Sequence, residues 1–279
     1  MSYSLIAWAF PRWICLSLEI AVIIYWRGWL LTRQTRPSYF PVWRLACFVA
    51  GITSIVAAMI SPLDTFSDRL LFVHMAQHYV LMCIAPPLIV LAAPVVPMLR
   101  GLPRWFVRPV LGPLIRMSWL RHFFKLLVTP RVAWILMNAA YIGWHIPAAY
   151  ELALRSWQWH IVEHACFLFF SILFWWPVIQ PWPSRLTGSR WLMLPYLLSA
   201  DIVNTAISAL LCFSGRVLYP SYAEQPRLFG ISPLSDQAAA GALMWVFGSL
   251  VFLVPAMYIT MQLLSSPRRS LMMRRIPSH

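Results

Sequence analysis

The chain has 279 residues, of which 61% are hydrophobic and 11% charged, and it carries a formal charge of +14. This composition excludes a soluble globular domain, and the sequence holds apolar runs of about 20 residues, the length a helix needs to cross a bilayer, without the ten-residue alternation of a membrane barrel. The basic excess follows the positive-inside pattern of short cytoplasmic loops and does not call for nucleic acid, and five scattered cysteines with no Cys-x-x-Cys pair exclude a disulfide framework.

The reading is an all-α polytopic membrane protein, a seven-transmembrane helix bundle forming one integral membrane domain over 1–279. Its spans fall at about 13–31, 42–60, 70–92, 131–149, 159–180, 190–213 and 237–263. No basic region precedes the first apolar stretch, and Pro11-Arg12 interrupt it early, so the first span is read as retained rather than as a cleaved signal. With the N-terminus outside and the C-terminus cytoplasmic, 17 of the 22 Lys and Arg face the cytoplasm, Arg44, Arg100, Arg108, Arg185, Arg190, Arg274 and Arg275 among them. No Asp or Glu is left on that side. Residues 93–130 contain a proline-broken basic stretch and then Leu114 to Lys125, whose aromatics and cations predict an interfacial amphipathic segment between helices 3 and 4, with His122 an ordinary interfacial histidine.

Two motifs share one spacing. In span three, His74-Met-Ala-Gln-His78 places two imidazoles on one helix face, and in span five His160-Ile-Val-Glu163-His164 repeats the interval. His145 closes span four, and Asp236 opens span seven after Ile231-Ser-Pro-Leu-Ser, an echo of Ile60-Ser-Pro-Leu-Asp64 read as common helix-start grammar. The topology brings these residues to the outer third of the bundle. Ionisable groups at such depth are expensive, which makes them candidates for function.

Imidazole pairs at i, i+4 grip Zn, Cu, Fe or Ni, and Met75, Met82, Cys83 and Cys166 lie near enough in sequence to add soft donors for Cu(I). A metal site, a haem or quinone site, a proton relay and a structural polar network all remain open on the residues alone. The metal reading assigns His74, His78, His145, His160, His164 and Asp236. The HExxH zinc-peptidase motif is absent, and Glu163, next to His164, does not form the Glu-x-x-His of di-iron bundles. Asp201-Ile-Val-Asn204-Thr205 in span six reads as interhelical hydrogen bonding, and Pro86-Pro87 as a kink below the histidines. Without G-x-S-x-G, a P-loop or a Gly-rich dinucleotide turn, no enzyme activity is expected.

Ser61-Pro-Leu-Asp64 through His74-Met-Ala-Gln-His78 to Ala85-Pro-Pro-Leu, then Trp157-Gln-Trp-His160-Ile-Val-Glu-His164 with Phe174-Trp-Trp-Pro177, and above all Asp236-Gln-x-x-x-Gly241-x-x-Met244-Trp245 resemble the multi-spanning CtaG family of cytochrome c oxidase assembly factors. The resemblance runs from about residue 40 to 264. It implies a bacterial plasma-membrane protein that matures a haem-copper oxidase, with an oxidase subunit as partner and copper as the metal. The other functional class is a membrane redox or transport protein whose histidines hold haem or relay protons.

Overall fold

The computed structural model describes residues 12–60, 62–184, 189–225 and 227–273. Arg185, Arg274, Arg275, Ser61 and the residues before Arg12, on which parts of the sequence reading rest, lie outside the described residues. In chain order the helices are α1 (Arg12–Thr35), α2 (Val42–Ile60), the short α3 (Pro62–Ser67), α4 (Leu71–Leu91), α5 (Val95–Gly101), α6 (Ser118–Leu127), α7 (Pro130–His145), α8 (Pro147–Arg155), α9 (Trp157–Ile179), α10 (Met193–Phe213), α11 (Pro220–Glu224) and α12 (Pro233–Met273). Among the described residues there is no strand. Five of these helices open on proline, whose fixed φ suits a first turn and whose missing N–H is not needed there.

Among the described residues six helices are long and apolar enough to cross a membrane, and α6 with α7, bent by 64° at their junction, makes seven if the pair is one span. The fourth span differs from its predicted bounds of 131–149. Pro147 forces Ile146 into an extended conformation (φ −64°, ψ 127°), which ends α7 at His145 and starts a separate helix. At 16 residues α7 is about 24 Å long by helix rise, short of a full hydrocarbon thickness.

α4 is the central helix, packed against α2, α9 and α12. Just before Pro86-Pro87, where a kink is expected from sequence, the helix takes a π-helical turn at Val80–Ile84. Pro86 cannot donate to the Met82 carbonyl, and the Trp175 indole of α9 donates to that oxygen instead, at 3.1 Å. α12 lies along α10 because Gly241 allows it: a Cβ there would sit 2.6 Å from the Cys212 nitrogen and 2.7 Å from the Ser208 carbonyl.

The connection between α4 and α7 divides into two parts. α6 buries none of its residues. α5, in contrast, docks on α1 backbone to backbone, with Gly28 against the Pro97 carbonyl and Gly101 against the Ile24 carbonyl. Arg100 then donates to the Thr35 hydroxyl at 2.7 Å.

Candidate metal centre

α4 carries His74 and His78, and its first turn is held from outside. Leu70 offers no side-chain cap; the Asp236 carboxylate of α12 accepts from the Leu71 N–H at 2.7 Å and the Phe72 N–H at 3.1 Å. A carboxylate on two orphan N–H groups at a helix N-terminus is a strong, charge-assisted cap. The histidines one turn further along are thereby fixed against α12. Their Nε2 atoms stand 2.9 Å apart.

The other nitrogen of His74 shows which tautomer faces the cluster. Its Nδ1 is 2.9 Å from the Tyr222 hydroxyl, and that hydroxyl is 3.0 Å from the Ser67 carbonyl. A carbonyl only accepts, so Tyr222 gives its hydrogen to Ser67 and takes one from His74 Nδ1. His74 Nε2 is left with its lone pair towards His78 and α9. Burial pushes the Tyr222 phenol well above its ordinary pKa, so it stays neutral and keeps this hydrogen-bonding role. Tyr222 is held in place by Tyr150, whose hydroxyl is 3.3 Å away, and by Glu151 of α8, which accepts from the Ser221 N–H at 3.0 Å and from the Ser221 hydroxyl.

α9 supplies the facing half. His160, Glu163 and His164 are at i, i+3 and i+4, and one face of the helix presents all three. One ligand atom from each of His74, His160, Glu163 and His164 lies within 4.8 Å of the others. His160 Nε2, His164 Nε2 and both Glu163 oxygens are shut off from solvent with no hydrogen-bond partner, and so is His78 Nδ1. His78 Nε2 is 3.8 Å from a Glu163 oxygen. A buried carboxylate with neither donor nor counter-ion costs several kcal/mol, and a cation among the imidazoles removes that cost.

Three imidazoles and one carboxylate, with His78 beside them, fit a borderline divalent ion such as Cu(II) or Zn(II). Of the soft donors named from sequence, Met82 and Cys83 line a deeper cavity with Tyr79, Met137, Tyr141 and Asn204, and Met75 is buried in the apolar core. The preference for Cu(I) drawn from them does not carry over to this cluster. On the short helix before α4, Asp64 accepts from the Gln77 amide at 3.0 Å, and burial raises its pKa, an effect opposed by that hydrogen bond and by nearby His160.

The six residues chosen from sequence are thus divided. His74, His160 and His164 converge, and His78 touches them. His145 stands apart behind Phe167, its Nδ1 donating to the Tyr141 carbonyl at 2.7 Å and its Nε2 buried without a partner. Asp236 has both oxygens engaged by the α4 backbone, so its place in the structure is that of a cap. Sequence reasoning missed Glu163 and Tyr222. Glu163 was measured only against His164, whereas the interval to His160 places it on the shared face. Tyr222 arrives from the short α11 and carried no signal in sequence.

The fold and the cluster define a class first: a polytopic helical membrane protein with a buried imidazole–carboxylate centre near one end of the bundle. Residues 23–266 match the family described as cytochrome c oxidase caa3 assembly factor, and the chain belongs to that family. An uncharacterised protein of Mycobacterium leprae is 26% identical over 250 residues, covering 85% of this chain and 36% of the relative. Uncharacterised proteins of Mycobacterium bovis and Mycobacterium tuberculosis are each 26% identical over 276 residues, covering 95% of this chain and 40% of theirs. The chain therefore spans about two fifths of the length of these relatives. No solved structure matches it.

Proposed function

We propose that this protein is an assembly factor for a haem-copper cytochrome c oxidase that binds copper as cargo through His74, His160, Glu163 and His164, with His78 beside them, and passes it to an oxidase subunit on the same side of the membrane. The observation that carries the reading is the convergence of four ligand atoms within 4.8 Å, most of them buried and without partners. The family supplies the oxidase, and the donor set supplies the metal chemistry. Neutral imidazoles and one carboxylate leave a bound divalent ion with a net positive charge, and a buried charge of that kind favours release to a more strongly donating acceptor over permanent retention.

The reading places the cluster at the outer face of the plasma membrane, because 17 of the 22 basic residues then lie inside. Reporter fusions after Arg108 and after Arg227 then show opposite sides, and a cytoplasmic signal at Arg227 overturns the orientation. The test of function is copper stoichiometry of purified wild-type protein and His164→Ala, set beside oxidase activity in membranes carrying each. Both fall together if copper passes through this cluster. A fall in activity with copper unchanged removes the delivery step and leaves the assembly role. Retention of zinc in place of copper identifies the cluster as a resident structural site.

A further inference from the structure

The end of the bundle opposite the histidines holds a second set of buried polar atoms without partners. Arg44, in the first turn of α2, has its Nε and Nη1 shut off from solvent with no hydrogen-bond acceptor. Its guanidinium lies over two rings, with Cζ 5.3 Å from the centroid of Phe40 and 5.3 Å from that of Trp43. Arg36 lies over Trp182 at 5.7 Å, and Trp182 meets Phe40 edge-on at 5.5 Å and Tyr39 at 5.3 Å. Two guanidinium groups therefore flank one aromatic wall.

Ring faces attract a cation, but they do not accept the in-plane N–H groups of a guanidinium. Those need oxygen, and among the described residues none accepts from Nε or Nη1. Tyr25 donates to the Ala92 carbonyl at 2.8 Å and approaches the Arg44 carbonyl at 3.4 Å, which satisfies backbone and leaves the guanidinium as it was. α2 has no acid, and neither residues 92–131 nor residues 180–200 contain Asp or Glu. The acid of α1, Glu19, lies six residues before Tyr25, towards the opposite end of that helix. An oxygen brought from outside the chain would satisfy these two atoms.

We infer that Arg44 and Arg36, set against Phe40, Trp43 and Trp182, bind the phosphate of an anionic lipid headgroup. Phosphate oxygens match the planar fork of arginine, and a dehydrated guanidinium already held by rings loses little freedom on binding one. The lipid source follows from the surroundings. Val42 and Trp43 are half exposed beside the site, on the apolar flank of a membrane-crossing helix, where acyl chains lie. This site is independent of the metal centre and of any copper chemistry.

The experiment is native mass spectrometry and thermal unfolding of the purified chain in detergent, with phosphatidylglycerol, phosphatidylcholine or inorganic phosphate added. Wild type retains phosphatidylglycerol at least tenfold more tightly than phosphatidylcholine and unfolds at higher temperature with it. Arg44→Gln loses that preference, Arg36→Gln loses part of it, and Arg108→Gln, an exposed arginine between α5 and α6, keeps it. Should Arg44→Gln fail to fold, loss of the lipid-induced thermal shift in Arg36→Gln carries the same weight. Equal phosphatidylglycerol retention by wild type, Arg44→Gln and Arg36→Gln overturns the inference. Binding of inorganic phosphate without lipid retention overturns the lipid assignment and gives the site to a free anion.

Discussion

α4 and α9 each carry two histidines four residues apart, and the structure treats the two pairs differently. On α4 the pair is tied: His74 is bonded through Nδ1 to Tyr222, its Nε2 meets His78, and the helix start beneath them is capped by Asp236. On α9, His160 and His164 present Nε2 atoms with no partner, and Glu163 between them presents two free oxygens. One helix is preset by its neighbours, and the other brings the open valences. An i, i+4 interval puts imidazoles on one face, but which nitrogen carries the lone pair is decided by what stands behind each ring.

That contrast can be broken at its stronger side first. His164→Ala removes an open donor directly and lowers metal affinity by more than the roughly 10–100-fold expected for losing an outer partner, read as metal retained after dialysis. Glu163→Gln keeps the shape and removes the charge, and it falls in the same class; unchanged retention in both variants would place the metal elsewhere. Tyr222→Phe leaves every donor in place and frees His74 to adopt the other tautomer. A loss of about 10–100-fold in affinity with the protein still folded is the expected result, and an effect on stability alone would make Tyr222 a packing residue.

Asp236→Ala separates a cap from a ligand. Removing the carboxylate leaves the Leu71 and Phe72 N–H groups without acceptors and costs about 1–2 kcal/mol, seen as a lower unfolding midpoint with a smaller change in metal affinity. An affinity loss as large as that of His164→Ala, with no drop in midpoint, would return Asp236 to the ligand set. The smallest effect is expected from Cys83→Ser. Cys83 faces the deeper cavity with Met82 and Met137, so metal at the imidazole cluster changes by less than about twofold, within the range of a surface-like substitution. A large loss would bring the soft donors back into the cluster.

Much of the fold was legible because its causes are local. A run of apolar residues long enough to cross a membrane announces itself, prolines mark where helices start, and α6 follows from an amphipathic run of rings and cations. The break at Pro147 was also local in cause, but the apolar residues on both sides of it hid the boundary. The docking of α5 on α1 was not legible. It depends on Gly28 and Gly101, from distant parts of the chain, meeting each other's backbones. The residues of the motif Asp236-Gln237…Gly241…Met244 make contacts between helices. Asp236 caps α4, Gln237 accepts from the Leu218 N–H at 2.7 Å, Gly241 admits α10, and the Met244 carbonyl accepts from the Tyr79 hydroxyl at 2.7 Å.

Sequence by itself determined the solvent of this protein, the helical period of its spans and the presence of costly imidazoles within them, since hydropathy and spacing are properties of neighbours along the chain. Only the tertiary structure decided that Glu163 belongs with the histidines, that His145 and Asp236 stand outside that group of four, and that Tyr222 reaches back from α11 to set the proton on His74. Those outcomes depend on which buried polar atoms find partners across helices far apart in sequence. In a medium with no water to supply the missing bond, that matching is what separates a cap from a ligand.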